Sequence, residues 1–145
     1  MNIYFVCTGN TCRSPIAEAI LKSMNLENVQ VKSAGIYALD GGEMSENAKA
    51  VLQEENIYFE HQSRAVTPEN LQWADLVLTM TAAHKALILS NYPQYAKKVY
   101  TLKEFTAPYS SKDISDPFGG DLQKYKQTYE ELKHHIQQLQ TQIGI

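Results

Sequence analysis

Hydrophobic residues along the chain alternate between short apolar runs and longer amphipathic segments. The apolar runs are rich in β-branched and aromatic residues and end in polar or turn-forming positions, which is typical of buried strands. They cover residues 3–6, 29–31, 76–80 and 99–102. The pattern therefore predicts four strands with helices between them.

The segments between the strands repeat their apolar residues at helical spacing. The residues that share a face in the first two are Ile16, Ile20 and Leu21, and Met44, Ala48, Val51 and Leu52. Alternating strands and helices predict an α/β fold with a parallel sheet, right-handed crossovers and helices on both faces. In such folds ligands bind at the carboxyl ends of the strands.

Two more helices have their own signals. Thr67 followed by Pro68 looks like an N-cap with proline at the first helical position, starting a short helix that Leu71 and Trp73 anchor. The last helix is predicted over residues 121–142. Its apolar residues step by three and four, and they are Leu122, Tyr125, Tyr129, Leu132, Ile136, Leu139 and Ile143. A coiled coil would share this spacing, but we favour a helix that covers the sheet.

Length and composition narrow the class of protein. The chain has 145 residues, 43% of them hydrophobic and 20% charged, with a formal net charge of −3. These values predict one soluble domain over residues 1–145, without the basic surface that nucleic acid or an anionic membrane requires. The N-terminus has neither the basic start nor the long apolar core of a secretory signal. We expect a cytoplasmic monomer.

The two cysteines, Cys7 and Cys12, lie where the first strand passes into the first helix. Two cysteines are too few for a disulfide scaffold, and in a reducing compartment a close pair indicates catalytic or redox chemistry. They have four residues between them, where a thioredoxin-like pair has two. The histidines have no ligand spacing relative to them, so we expect no metal and no cofactor.

The segment from Cys7 to Ser14 has the composition of an anion-binding loop. Its candidate phosphate-binding residues are Thr8, Gly9, Asn10, Thr11, Cys12, Arg13 and Ser14. Successive backbone N–H groups can form a concave nest, with Gly9 at a positive φ, and a helix beginning near Arg13 adds its positive dipole end. Arg13 has a planar fork that matches two phosphoryl oxygens. The Walker and dinucleotide glycine motifs are both absent from the sequence.

This environment predicts a chemical role for Cys7. Positive potential lowers thiol pKa values, so we expect Cys7 to be a thiolate at neutral pH and to attack phosphorus, forming a phosphocysteine that water cleaves. A small buried core residue is the alternative for a lone cysteine. The position of Cys7 and Arg13 on a strand-loop-helix junction favours the catalytic interpretation.

A leaving group needs an acid, and residues 112–121 contain candidates. Asp116 precedes Pro117, which holds it extended, and Gly119 and Gly120 allow the loop to fold toward the sheet edge. Asp113 is a second candidate without that restraint. A simple turn before the last helix is the alternative explanation for this segment.

The chain resembles the low-molecular-weight protein tyrosine phosphatase family. The segments that carry the resemblance are VCTGNTCRSP at residues 6–15, Ser33-Ala34-Gly35, ADLVLTM at residues 74–80 and DPFGG at residues 116–120. It implies a three-layer sandwich with a four-stranded parallel sheet, a cysteinyl-phosphate intermediate and no metal. The implied catalytic roles are Cys7 as nucleophile, Arg13 as phosphate clamp and Asp116 as general acid and then base. Asn10, Ser14, Ser33 and His61 are implied as supports of the loop, with Ser14 also stabilising the thiolate.

Two departures from tyrosine-specific members concern the substrate pocket. Thr11 stands where those members commonly carry Ile or Leu, and Phe118 follows Asp116-Pro117 in place of paired tyrosines. A hydroxyl in the wall disfavours an aromatic ring, whereas a planar guanidinium tolerates it and can lie against Phe118. The pattern most resembles the bacterial protein arginine phosphatase branch, which implies phosphorylated proteins as substrates and hydrolysis of phosphoarginine.

Two alternative functions and the role of Cys12 stay open at this point. Hydrolysis of phosphotyrosine is the nearest one. A catalytically inactive module that binds anions or senses redox state is another, and Asp116 would be unnecessary for it. In the family, a cysteine at the position of Cys12 can form a disulfide with the nucleophile and protect it from irreversible oxidation. A space-filling role for Cys12 is equally compatible with the sequence.

Overall fold

The computed structural model describes residues 1–109 and 112–144, and in this part of the chain four parallel strands form one sheet. The spatial order is β2-β1-β3-β4. The strand bounds are β1 (Asn2–Cys7), β2 (Gln30–Gly35), β3 (Leu76–Thr79) and β4 (Val99–Thr101). All four predicted strands are confirmed. Short runs of β-branched and aromatic residues between helices form strands because a parallel sheet buries their side chains on both faces.

Helices connect the strands and close the chain. Their bounds are α1 (Arg13–Ser23), α2 (Glu46–Glu54), α3 (Pro68–Trp73), α4 (Ala82–Asn91), α5 (Leu102–Thr106) and α6 (Leu122–Ile143), with a 3₁₀ helix at Pro93–Lys98. The predicted cap of α3 is confirmed, since the Thr67 side chain accepts a hydrogen bond from the Asn70 N–H. Among the described residues, no helix is both long and apolar enough to cross a membrane.

The helices cover both faces of the sheet, which confirms the three-layer sandwich. Along β1, Ile3, Phe5 and Cys7 face a core shared with α1, α2 and α6, whereas Tyr4 and Val6 face a second core shared with α3 and α4. This alternation follows from the two-residue period of a strand. The central strand is therefore buried on both sides, and its end is held firmly in place.

Helix α6 packs against α1, α2 and α5 and contributes to the core that they share with the sheet, so it is a core-facing helix rather than half of a coiled coil. Its buried apolar residues are Tyr125, Tyr129, Leu132, Ile136 and Leu139. The Asp121 side chain accepts a hydrogen bond from the Lys124 N–H and so begins the helix. Burial of each of these side chains contributes roughly 1.5–3 kcal/mol. The Ser115 N–H, in the segment before the helix, donates to Glu131 Oε1 of α6 at 3.0 Å, so α6 also helps to hold this segment in place.

The carboxyl ends of β1 and β3 bring separate parts of the chain together. β1 ends at Cys7, and the Ile114 N–H donates to the Met80 carbonyl just after β3, at 2.8 Å. The carboxylate of Asp113 accepts a hydrogen bond from the Ala82 N–H at 2.8 Å. The segment that contains Asp116 is therefore anchored at the same edge of the sheet as Cys7.

Candidate active site

The loop between β1 and α1 rests directly on Gly35 of β2. A Cβ atom at Gly35 would lie 2.5 Å from the Thr8 carbonyl oxygen and 2.7 Å from the Asn10 nitrogen. The left-handed residue of the loop is Asn10, with a φ of 56°. The expectation that Gly9 has this conformation is wrong. Asparagine tolerates left-handed backbone well, and here its side chain also has buried partners.

Behind the Cys7 sulfur, hydrogen bonds connect the buried polar residues in series. Cys7 Sγ lies 2.8 Å from Ser14 Oγ. Asn10 Nδ2 donates to Ser14 Oγ at 2.8 Å and to Ser33 Oγ at 2.9 Å. Ser33 Oγ donates to Glu18 Oε1 at 2.6 Å. Three of the four residues predicted as loop supports therefore lie together, and Glu18, which sequence reasoning missed, extends the series.

The carbonyl oxygen and the side-chain oxygen of Asn10 accept hydrogen bonds from a second segment of the chain, residues 61–64. His61 Nε2 and Ser63 Oγ donate to the Asn10 carbonyl at 2.7 and 2.9 Å, and the Arg64 N–H donates to Asn10 Oδ1 at 2.9 Å. Burial lowers the pKa of His61, although the Asn10 carbonyl opposes this shift. A neutral imidazole that donates through Nε2 fits this contact. His61 thus lies where the sequence predicted it.

The environment of Cys7 differs from the expectation in one respect. Burial raises the pKa of the Cys7 thiol, while hydrogen bonds from Ser14, the backbone N–H of Asn10 and the charge of Arg13 act in the lowering direction. The expected depression of this pKa is therefore wrong in direction. The physical reason is that the sulfur sits at the end of a fully buried strand, so desolvation outweighs the groups that favour a thiolate.

Arg13 begins α1 and connects the loop to the segment before α6. It is 5% exposed. Its Nη1 donates to the Ile114 carbonyl at 3.1 Å, and its Nη2 lies 3.5 Å from Asp116 Oδ2. These contacts orient the guanidinium beside the positive end of α1, which is a favourable place for an anion.

The two candidate acids lie in different surroundings. The Asp116 side chain is 54% exposed, and its Oδ1 accepts a hydrogen bond from the Phe118 N–H at 3.1 Å. Asp113 instead caps the start of α4 through Ala82. Of the two, Asp116 lies beside Arg13 and faces the same space as Cys7.

A cavity of about 210 Å³ opens above the sulfur. Its lining residues are Cys7, Thr8, Gly9, Thr11, Cys12, Arg13, Asp116 and Phe118. It thus brings together every residue predicted to be catalytic and both predicted specificity residues. Asn10 and Ser14 are fully buried, and they do not line the cavity. A larger groove of about 970 Å³ lies next to Glu18, Ser33 and His61, on the far side of the loop.

Sequence reasoning also missed a contact between the loop and α4, which we call the outer side of the loop. Thr8 Oγ1 lies 2.8 Å from His84 Nε2, and His84 Nδ1 has no hydrogen-bond partner among the described residues. Burial, reinforced by the charge of Arg13, lowers the pKa of His84 to about 4. A histidine on an amphipathic helix gives no sequence signal for this role, because the contact exists only once β3 and β1 are paired.

Cys12 points away from solvent into α6. Its Sγ lies 3.3 Å from the Tyr125 hydroxyl and 3.6 Å from Ser45 Oγ. Cys7 and Cys12 are both free thiols. The redox role of Cys12 stays a prediction. Across residues 1–109 and 112–144, no group of three or more His, Cys, Asp or Glu side chains could hold a metal ion.

A buried sulfur, a fixed guanidinium and an exposed carboxylate around one small cavity suit nucleophilic attack on a phosphoryl group, with a proton donor at the mouth. Comparison with known proteins supports this chemistry. The family described as low molecular weight phosphotyrosine protein phosphatase matches residues 2–144.

Individual relatives span nearly the whole chain. A protein-arginine-phosphatase of Bacillus subtilis is 47% identical over 99% of this chain and 97% of its own length. A low-molecular-weight protein-tyrosine-phosphatase, PtpB, of Staphylococcus haemolyticus is 40% identical over 97% and 99%. A solved arginine phosphatase, whose active-site cysteine is replaced by a phosphorylated serine, superimposes with a TM-score of 0.95 at 46% identity, covering 99% of this chain and 96% of that one. The chain therefore belongs to the low-molecular-weight phosphotyrosine protein phosphatase family.

Proposed function

We propose that this protein hydrolyses the phosphorus–nitrogen bond of phosphoarginine in proteins through a cysteinyl-phosphate intermediate. The observation that carries the proposal is the composition of the cavity wall, where the Thr11 hydroxyl and the Asp116 carboxylate share one space with Cys7. Similarity to proteins described as arginine phosphatases supports the same substrate class.

In the first half-reaction, Cys7 attacks phosphorus as Arg13 and the loop N–H groups bind the phosphoryl oxygens. The phosphorus–nitrogen bond breaks, and Asp116 gives its proton to the departing guanidine nitrogen. Arg13 contacts Asp116 at 3.5 Å, so a bound phosphoryl group would compete for the guanidinium and release the carboxylate toward the leaving group. The product is phosphocysteine and an unmodified arginine side chain.

The raised pKa of Cys7 is compatible with this step. A neutral thiol with a dianionic phosphoryl group carries the same number of protons as a thiolate with a monoanionic one. Transfer of the thiol proton to a phosphoryl oxygen on binding would therefore create the nucleophile without any added base. The donors of Ser14 and Asn10 then stabilise the sulfur anion.

In the second half-reaction, water attacks the phosphocysteine. Asp116, now a carboxylate, takes a proton from the water as the sulfur–phosphorus bond breaks. Inorganic phosphate leaves, and the cysteine is regenerated. The relative with a phosphorylated serine in place of its active-site cysteine supports a covalent phospho-enzyme in this family.

We assign the choice of substrate to two residues that line the cavity, Thr11 and Phe118. An aromatic ring cannot form a hydrogen bond with the Thr11 hydroxyl, whereas a guanidinium can. Phe118 is 79% exposed at the rim, so its ring is available for contact with a planar cation. While it is ionised, the Asp116 carboxylate attracts the same cation, and it takes up a proton from solvent before it acts as the acid.

Hydrolysis of phosphotyrosine is the second candidate. The staphylococcal relative described as a tyrosine phosphatase favours it, since it covers nearly the whole chain at 40% identity. A cavity with Phe118 at its rim would also accept an aromatic ring. The two candidates share the same nucleophile and differ in the leaving group.

The test is turnover of matched peptides that carry phosphoarginine, phosphotyrosine or phosphoserine at one position. We expect the phosphoarginine peptide to have the highest kcat/KM, and Thr11→Ile to shift the ratio toward phosphotyrosine by about tenfold, which corresponds to about 1.4 kcal/mol. Thr141→Ile, at an exposed position of α6 outside the cavity, is the control substitution. Comparable turnover of the first two peptides, with a ratio that Thr11→Ile does not alter, would favour the tyrosine phosphatase.

A further inference from the structure

Glu131 of α6 contacts the segment that contains the proposed acid, although it does not line the cavity. Its Oε1 accepts a hydrogen bond from the Ser115 N–H at 3.0 Å, one residue before Asp116. The same oxygen lies 3.5 Å from Lys103 Nζ of α5, whose side chain is only 13% exposed. An ammonium group only donates hydrogen bonds, so Lys103 attracts this oxygen and keeps it oriented. Glu131 is therefore a fixed acceptor beside the backbone of the acid.

The segment around Asp116 is held unevenly. The residues up to Ile114 form hydrogen bonds with the chain just after β3 and with the start of α4. Ser115 is bonded to α6. Across residues 116–119, the described part of the chain shows a single hydrogen bond or ion pair with another segment, the contact of 3.5 Å between Asp116 and Arg13. The position of the carboxylate thus depends on Arg13 and on the backbone at Ser115.

Binding of substrate changes the balance between these two contacts. In the proposed reaction a phosphoryl group competes for the Arg13 guanidinium, so the ion pair no longer holds Asp116 when the proton is transferred. The contacts of Ser115 with α6 are then left. Its Oγ lies 3.4 Å from Thr128 Oγ1, and its N–H lies 3.0 Å from the Glu131 carboxylate. The bond to Glu131 is the stronger of the two, because it is shorter and its acceptor is charged.

We infer that Glu131 is a positioning residue for the general acid, because its carboxylate holds the Ser115 N–H and so keeps Asp116 at the cavity after Arg13 has engaged the phosphoryl group. The inference rests on the proposed role of Asp116 as the acid. Its effect should therefore grow with the need of the leaving group for a proton. Glu131 does not touch the substrate, so its substitution displaces the acid rather than removing it.

The experiment measures kcat/KM for two aryl phosphates, because this quantity covers the transfer of the phosphoryl group to Cys7. One is 4-nitrophenyl phosphate, whose leaving group departs readily without a proton. The other is phenyl phosphate, whose leaving group needs the acid. The ratio of the two values reports how well Asp116 is placed.

Two variants separate the reach of Glu131 from its charge. Glu131→Asp retains the charge but withdraws the carboxylate by one methylene, about 1.5 Å, so the Ser115 N–H loses its acceptor. Glu131→Gln loses the charge but retains an oxygen at the same reach, which Lys103 attracts. We expect Glu131→Asp to lower kcat/KM about tenfold on phenyl phosphate and less than about twofold on 4-nitrophenyl phosphate, as for a misplaced acid. Glu131→Gln should stay close to the parent on both.

The neighbouring residue of α6 provides matched controls. Glu130 is exposed, so Glu130→Asp and Glu130→Gln make the same changes away from Ser115 and should alter neither value. An effect of charge on Asp116 predicts the reverse order at Glu131, with Glu131→Gln altered and Glu131→Asp like the parent. In an Asp116→Asn background, Glu131→Asp should cause no further loss on phenyl phosphate, because the group through which it acts is already absent.

An unchanged ratio in Glu131→Asp, equal losses in Glu131→Asp and Glu131→Gln, or a further tenfold loss in the Asp116→Asn background would overturn the inference. Thermal unfolding shows whether each variant is folded at the assay temperature. If Glu131→Asp is not, Glu131→Ala decides, since it also lacks the acceptor and alanine is the best helix former.

The same assays distinguish failure of this inference from failure of the proposed function. If Asp116→Asn itself loses equally on both esters, the role of Asp116 as acid is wrong, and the inference falls with it. If Asp116→Asn loses mainly on phenyl phosphate while Glu131→Asp does not, the inference alone is wrong. Neither result depends on phosphoarginine, so the peptide assays test the substrate class separately.

Discussion

The two sides of the Cys7 sulfur are constructed differently. Behind it, Asn10 and Ser14 have no exposed surface, and their side chains are joined by a hydrogen bond of 2.8 Å. In front of it, Asp116 and Phe118 are 54% and 79% exposed. The rear side is fixed by the fold, whereas the front side faces solvent on a loop that is held by a few contacts.

This difference separates chemistry from substrate choice. Buried and mutually hydrogen-bonded groups lose no further freedom when a phosphoryl group arrives, so the nucleophile is pre-organised. An exposed acid and an exposed ring can be changed with little effect on the core, so different leaving groups can be accommodated at the front. We therefore expect substitutions behind the sulfur to affect all substrates equally and substitutions in front to affect them unequally.

The largest loss of activity is expected when Cys7 itself is substituted, because its sulfur lies between the two sides. Cys7→Ser should abolish turnover of every phosphorylated peptide, by on the order of 10⁴–10⁶-fold in kcat, because the hydroxyl is a far poorer nucleophile. Phosphate binding should persist, since Arg13 and the loop backbone are unchanged. Steady-state kinetics and calorimetric titration with phosphate measure the two quantities. Residual activity near that of the parent protein would rule out Cys7 as the nucleophile.

Asp116→Asn tests the front side. Loss of a general acid should lower kcat by about 10²–10⁴-fold on substrates with poor leaving groups and much less on an activated aryl phosphate. Asp113→Asn is the matched control, because an asparagine retains the cap on α4 and Asp113 does not line the cavity. Equal losses on good and poor leaving groups would show that Asp116 has no role in proton transfer.

The sequence predicted the parts of this site that depend on local signals. The strand that leads into Cys7, predicted over residues 3–6, the helix beginning near Arg13 and the Asp116-Pro117 turn each follow from a few adjacent residues. The four-stranded sheet follows from alternating patterns. Because these signals are local, they can be interpreted without knowing which segments pair across the sheet.

The parts that the sequence did not predict depend on contacts between distant segments. Glu18 meets Ser33 only when α1 packs beside β2, and His84 meets Thr8 only when β3 pairs with β1. The left-handed residue at Asn10 was assigned to Gly9 because glycine is the default for that conformation. The direction of the Cys7 pKa was wrong for a related reason, since burial of the sulfur is a property of the whole core.

Gly35→Ala tests the rear side without changing any polar group. The added methyl would meet loop backbone at 2.5–2.8 Å, so the loop must shift, and a displacement of ~1 Å can lower activity by ~10²-fold. The loss should be the same for phosphoarginine and phosphotyrosine peptides. Gly41→Ala is the control, because Gly41 has a φ of 86° and no other described atom within 4 Å of an added Cβ. It should cost about 1 kcal/mol of stability without loss of activity. A loss confined to one substrate in Gly35→Ala would contradict the separation of the two sides.

His84→Gln tests whether the outer side of the loop is also fixed by burial. The folded-state pKa of His84, about 4, lies below the ordinary value of 6.5, so protonation favours the unfolded chain. The stability that neutral His84 provides is therefore complete above about pH 6.5 and is lost as pH falls toward 4. Between pH 7 and pH 5 the parent should lose about 1–2 kcal/mol of unfolding free energy more than His84→Gln does. Thr8→Val removes the hydroxyl partner but leaves the imidazole buried, so it should retain the pH dependence of the parent. Denaturant titrations of the three proteins at each pH provide the comparison. Parallel curves for the parent and His84→Gln would show that the imidazole is solvated, and the outer side of the loop would then be less ordered than the rear.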